Sequence, residues 1–232
     1  VIERPATDGA FEHVLVSESD ERRPTVILYP TIMGRSDLEL GFARRLAGAG
    51  YAVLVADLYG REYIGKPREE CRALMMALLG DRAALGARLL AVLETTRAQP
   101  EVDPARVAAI GFCFGGLCAL DLARGGADIA GAASFHGLLK PPPGPQAEAI
   151  GARILVLHGW DDPLAPPEEV AALGAELTAA GADWQIHAYG NTAHAFTNPN
   201  AADRAGGFSY DARAARRAWA SCDAFLEECF ER

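Results

Sequence analysis

The chain has 232 residues, half of them hydrophobic and 23% charged, with a formal net charge of −9. That size and composition suit one soluble α/β domain over residues 1–232, long enough to bury a sizeable core. The negative balance excludes nucleic acid and anionic membrane as partners, and no run nears the roughly 18 apolar residues of a spanning helix.

Taken in chain order, Val1-Ile2-Glu3-Arg4-Pro5 lacks the character of a secretory signal. A weak alternating stretch at 11–16 predicts an antiparallel edge strand. Residues 25–29, 52–56, 107–110, 131–135, 154–157 and 184–188 are nearly continuous apolar runs, as strands buried on both sheet faces must be. Helical patterns run between and after them at 38–49, 68–96, 117–124, 167–180 and 211–230, the fourth opening on Pro167-Glu168-Glu169. The alternation predicts a mostly parallel sheet with helices on both faces. Residues 141–145, Pro-Pro-Pro-Gly-Pro, read as a stiff connector. The five cysteines show neither metal nor disulfide spacing, which points to free thiols in a cytoplasmic protein. Cys71, Cys118, Cys222 and Cys229 read as small buried hydrophobes, the last two sharing one helix face.

Cys113 is different. It lies within Gly111-Phe112-Cys113-Phe114-Gly115-Gly116, between an apolar strand and a helical pattern. Glycines on both sides let the chain turn sharply and lift the central side chain to the tip. A thiol at a helix N-terminus feels the positive end of the helix dipole, which favours the thiolate.

Ligands of open parallel sheets lie beyond the carboxyl ends of the strands. Asp161 and Asp162 follow the strand at 154–157, and His194 follows the strand at 184–188. Nucleophile, acid and histidine in that chain order match the α/β-hydrolase order. Cys113 would attack an acyl carbon, His194 would act as base and acid, and Asp162 would orient the imidazole. The backbone N–H groups of Ile32 and Phe114 would hold the oxyanion. His136 and His158 also follow strands and are expected as hydrogen-bonded wall residues.

These residues resemble the dienelactone hydrolase family, the cysteine-using branch of the α/β-hydrolase fold. The likeness spans Asp57-Leu58-Tyr59-Gly60-Arg61, the Cys113 elbow, Gly159 to Asp162 with Pro166, and Tyr189 through His194 and Phe196. It favours Asp162 over Asp161 as the acid. It implies a compact hydrolase without a large lid that acts on small esters or lactones through Cys113, His194 and Asp162, without metal or organic cofactor; the chain is expected to be a monomer or homodimer. Two positions depart from the family. Thr31 stands where the family has a glutamate beside the oxyanion position, and Asn198 stands where it has an arginine that binds a substrate carboxylate. Arg35, Arg61 and Arg68 are candidate replacements for that cation, with Arg35 best placed in sequence. Tyr59, Trp160 and Phe196 are expected in the substrate cleft together with Thr31, Arg35 and Asn198, and Met33, Tyr63, Phe114 and His136 are further candidates for its wall. A thioesterase or amide hydrolase using the same triad, and a noncatalytic redox-sensing or ligand-binding relative, are the competing readings; an oriented Asp162–His194 pair argues against the last.

Overall fold

The computed structural model describes residues 2–144, 147 and 149–231. Eight strands make one sheet: β1 (Ile2–Asp8), β2 (Phe11–Ser17), β3 (Arg23–Tyr29), β4 (Ala52–Val55), β5 (Val102–Phe112), β6 (Gly131–Phe135), β7 (Arg153–Gly159) and β8 (Trp184–Tyr189). Their spatial order is β1-β2-β4-β3-β5-β6-β7-β8. β2 runs antiparallel to β1 and β4, and every other neighbouring pair is parallel. The chain winds outward in opposite directions on either side of β3, so the loops after β3 and β5 diverge and leave a crevice at the carboxyl edge.

The apolar runs form strands because both their faces find cover. Ile27, Tyr29, Val107 and Ala109 point to the side packed by α2 (Arg68–Gly80), α3 (Arg82–Arg97), α4 (Phe114–Arg124) and α5 (Pro167–Ala179). Val26, Leu28, Ala108 and Ile110 point to the other side, under α1 (Asp37–Gly48) and α6 (Ala212–Phe230). Every side chain named in these two sets is essentially inaccessible to solvent.

Three features depart from the sequence reading. The stretch expected at the edge, β2, is internal, because β1 pairs along its outer side. β1 holds Pro5 and alternates half-buried with exposed positions, a pattern that only an outer strand tolerates. The single helix expected over 68–96 is two helices. Asp81 interrupts them in an extended conformation, and its carboxylate accepts the Ala84 N–H to cap α3. A small hairpin unforeseen in the sequence, β9 (Ala202–Asp203) with β10 (Phe208–Ser209), rises between β8 and α6. Pro145 of the expected connector lies outside the described residues.

Cys71, Cys118, Cys222 and Cys229 are buried cysteines that form no disulfide. Beneath the sheet's helical cover, the fully buried Arg124 pairs with Asp121 and Glu176 and donates to the Leu139 carbonyl, while Arg82 also clasps Asp121. No helix among the described residues is long and apolar enough to cross a membrane.

Candidate active site

β5 passes into α4 through one residue, Cys113, at φ 56° and ψ −116°. A side chain in that region is strained, and the surroundings must hold it there. The Cys113 N–H donates to the Phe135 carbonyl at 3.0 Å, and its own carbonyl accepts from Gly116 N–H at 3.0 Å. Gly115 is what lets the turn pack: a Cβ there would lie 2.1 Å from the Tyr29 carbonyl oxygen, so β3 and α4 meet backbone to backbone. That closeness brings the Ile32 amide, two residues past Tyr29's neighbour Pro30, to the mouth of the elbow.

The Cys113 sulfur lies beside the backbone N–H groups of Phe114 and Ile32 and against the imidazole of His194, each of which favours its charged form. Burial alone would push this thiol up. The charge and hydrogen bond of His194, with the two amides, outweigh burial and hold it below the usual thiol range. His194 moves the opposite way. Burial disfavours its charged form, but the Cys113 sulfur and the Asp162 carboxylate more than compensate and raise it. The two shifts run in the direction that favours a thiolate–imidazolium pair.

The imidazole is held on every side. Nδ1 lies 2.6 Å from Asp162 Oδ2, and Asp162 Oδ1 accepts the Leu164 N–H at 2.8 Å. Nε2 is buried with no well-aligned hydrogen bond and faces the Cys113 sulfur. The acid and histidine loops are laced by Trp160 N–H to the Tyr189 carbonyl and Asp161 N–H to the Thr192 carbonyl. The hairpin closes the far side: His194 N–H donates to the Gly207 carbonyl, the Ser209 N–H donates to the His194 carbonyl, and the Phe208 ring meets the imidazole edge-on at 5.2 Å. Asp162 is buried and Asp161 exposed, as the choice between them requires.

In front of the sulfur is a small cleft of about 80 Å³. Thr31, Ile32, Met33 and Leu38 line one side, and His136, Ala195, Thr197, Asn198 and Phe208 line the other, with Phe42, Phe112 and Arg68 completing it. Of the expected substrate-binding residues, Thr31 and Asn198 are therefore in place. Four others are not. Arg35 turns away because Glu12 on β2 takes its guanidinium at 2.9 Å. Tyr59 is buried beneath the oxyanion loop, donating to the Ile32 carbonyl at 3.2 Å. Phe196 is fully buried under the histidine loop against His136 and Tyr189. Trp160 is 45% exposed and points off the acid loop, outside the cleft. Among the three arginine candidates, Arg61 donates to the Gly9 carbonyl, and Arg68 alone lines the cleft.

His136 is a wall residue, sharing a 2.8 Å hydrogen bond with Thr197 and packing edge-on against His194 at 5.1 Å. Burial, reinforced by the neighbouring His194, holds it well below the ordinary imidazole range, so it stays neutral. His158 corrects the expectation: it is buried below the cleft, and neither ring nitrogen has a hydrogen-bond partner. No group of three or more His, Cys, Asp or Glu side chains is disposed to hold a metal among the described residues. An apolar groove between α5 and β8 holds none of these groups.

The sequence reading missed Phe208 and a buried carboxyl at Glu39, which contacts Thr31. A two-residue strand carries no periodic signal, and a glutamate three residues after Ser36 reads simply as a capping box.

Comparison with known proteins identifies the family and agrees with the fold. The sequence model of the dienelactone hydrolase family matches residues 11–230. A solved structure called m3DLH is 41% identical, with a TM-score of 0.91 over 99% of this chain and 98% of its own. A dienelactone hydrolase-like promiscuous phosphotriesterase from metagenomic libraries is 37% identical, with a TM-score of 0.91 over 98% of this chain and 97% of its own. A protein of Escherichia coli (strain K12), provisionally named carboxymethylenebutenolidase, is 30% identical over 89% of this chain and 78% of its own length.

Proposed function

The chain belongs to the dienelactone hydrolase family, and from that membership we propose that it hydrolyses small carboxylic esters or lactones through a thioacyl intermediate on Cys113. The observation that carries this reading is the position of the sulfur, which lies beside two backbone N–H groups and faces the imidazole held by Asp162.

The thiolate attacks the carbonyl carbon, and the electron pair of the C=O bond moves onto oxygen. The Ile32 and Phe114 N–H groups beside the sulfur stabilise that oxyanion; such a donor is worth roughly 3 kcal/mol of barrier. As the tetrahedral adduct collapses, His194 Nε2 gives its proton to the departing alkoxide. The now neutral imidazole takes a proton from water, whose hydroxide attacks the thioester. A second collapse returns the electron pair to sulfur, frees the acid and restores the ion pair. Asp162 stabilises the imidazolium and fixes the ring.

The cleft has no carboxylate in its lining and a single guanidinium, Arg68 at the first turn of α2. A neutral ester or lactone needs no cation, and one with a remote carboxylate would be held by Arg68. The same carboxylate-free lining supports a second activity on phosphotriesters, which are uncharged and are the substrate class after which one structural relative is named. The enzyme needs only its thiol and imidazole for this chemistry, and we place it in the cytoplasm, where free thiols persist.

The decisive test is 4-nitrophenyl acetate hydrolysis by the wild type and Cys113→Ala, with intact-protein mass spectrometry of a quenched reaction. The reading requires an acetyl adduct on the Cys113 peptide and a loss of about a thousandfold or more in the variant. Retained activity in Cys113→Ala refutes it. Arg68→Gln should raise KM for a carboxylate-bearing ester and leave that for the acetate unchanged.

A further inference from the structure

Glu39 is fully buried, although it sits in the first turn of α1, where a capping glutamate is normally solvated. Its two oxygens face different tasks. Oε2 accepts from the Ser36 N–H at 3.1 Å and from the Ser36 hydroxyl, closing the capping box. Oε1 is not needed for capping. It accepts from the Thr31 N–H at 3.1 Å and the Thr31 hydroxyl at 3.1 Å, reaching back across the loop after β3.

That loop carries the Ile32 amide, and its other polar groups are fastened too. The Thr31 hydroxyl accepts the Met33 N–H at 3.3 Å, and the Thr31 carbonyl accepts the Gly34 N–H at 3.0 Å. The Ile32 carbonyl accepts the Tyr59 hydroxyl at 3.2 Å. The Ile32 N–H remains, and it is directed at the Cys113 sulfur. An oxyanion donor acts only if it is aimed before the charge develops, so whatever fixes this peptide sets the barrier.

We propose that Glu39 is the positioning residue of the oxyanion loop, holding Thr31 from behind so that the Ile32 N–H meets the developing oxyanion. This rests on the proposed attack by Cys113. A carboxyl taken out of water loses hydration; the four donors around it offset part of that, and burial still holds Glu39 above the usual carboxylate range. Capping alone explains two of the four. The other two connect α1 to the reacting end of the loop. Thr31, which stands where the family has a glutamate, is thus backed by a carboxyl one layer deeper.

The test compares wild type, Glu39→Gln, Glu39→Asp and Ser36→Ala on 4-nitrophenyl acetate. Reactive Cys113 is counted by iodoacetamide titration, so that kcat refers to folded sites, and melting is followed alongside. Glutamine has one acceptor for two sets of donors. Aspartate keeps the charge near the helix start but falls one methylene short of Thr31. Both should lower kcat at least tenfold per titrated thiol with KM within twofold, since removal of a whole oxyanion donor costs about 10²–10³. Ser36→Ala, which removes the cap and leaves the Thr31 contacts, should lower the melting temperature with kcat within twofold. If Glu39→Gln does not fold, Glu39→Asp decides. A kcat within twofold of wild type in a folded Glu39 variant overturns the inference. So does an equal kcat loss in Ser36→Ala, which would make Glu39 a cap and nothing more. Cys113→Ala is run in parallel: its retained activity would overturn attack by Cys113, on which this inference rests, whereas its silence beside an active Glu39 variant removes only this inference.

Discussion

Replacing Asp162 by Asn changes no volume but halves the acceptors where two donors converge. Oδ2 faces His194 Nδ1 at 2.6 Å, and Oδ1 takes the Leu164 N–H at 2.8 Å. An amide can keep only one of these. If its oxygen stays with Leu164, its NH2 faces Nδ1 and forces the tautomer with the proton on Nε2, which cannot act as a base. If its oxygen faces Nδ1–H, the NH2 opposes the Leu164 N–H, leaving a buried donor unpaired. In either case the imidazolium loses its carboxylate. A hydrogen bond to a charged group is worth about 1.5–3 kcal/mol. At 1.36 kcal/mol per tenfold, kcat/KM should fall about 10- to 150-fold. The unpaired group adds a stability loss of about 1–3 kcal/mol, or roughly 2–12 °C in Tm for a chain of this length. The pH dependence has a definite sign. Cys113 is held below the usual thiol range and His194 above the usual imidazole range, so the wild-type thiol should alkylate at lower pH than an ordinary cysteine. Without the Asp162 charge the imidazolium is less stable, the thiolate loses its partner, and the acid limb moves to higher pH. Ester hydrolysis and iodoacetamide alkylation across the pH range measure both effects. A variant within about threefold of wild type in kcat/KM, with its alkylation profile unmoved, would refute the assignment of Asp162.

Phe208→Ala removes the ring that meets His194 edge-on at 5.2 Å and walls the cleft; at about 0.5–1.5 kcal/mol for such a pair, kcat/KM should drop about 2- to 13-fold in steady-state assays. Gly115→Ala places a Cβ 2.1 Å from the Tyr29 carbonyl, so β3 and α4 must part; stability should fall by about 3 kcal/mol or more in urea melts, with kcat falling alongside. Arg124→Met strips Glu176 and Asp121 of a fully buried partner. The expected cost of about 3–5 kcal/mol corresponds to a Tm about 6–20 °C lower by calorimetry, with kcat at 25 °C unchanged.

The residues that could be read from sequence were those whose signal is local. Strands β3 to β7 declare themselves as apolar runs because both faces are covered, whereas β8, expected to be buried on both faces, is the outer strand of the sheet and keeps none of its residues buried. Cys113, Asp162 and His194 are legible because each sits just past such a run, where the chain must emerge at the carboxyl edge. What was not legible depends on distant partners. Arg35 is closest in sequence to the oxyanion loop, yet Glu12, 23 residues earlier on β2, claims it. The helical period continues across Asp81, so only its backbone shows that the helix stops. Phe208 reaches the imidazole through a hairpin of two-residue strands, too short to leave a pattern. Glu39 has the sequence of a cap, and only burial reveals its second task.

The clasp formed by β9 and β10 has a bearing on the protein's synthesis. Cys113 leaves the ribosome some 80 residues before His194, and the groups that hold the imidazole on its open side, at Gly207, Phe208 and Ser209, come later still. Until that last portion docks, the sulfur has no imidazolium beside it and remains an ordinary, mostly protonated thiol. Reactivity thus arrives only with the finished fold. A nascent or partly unfolded chain is correspondingly spared the oxidation to which an exposed thiolate is prone.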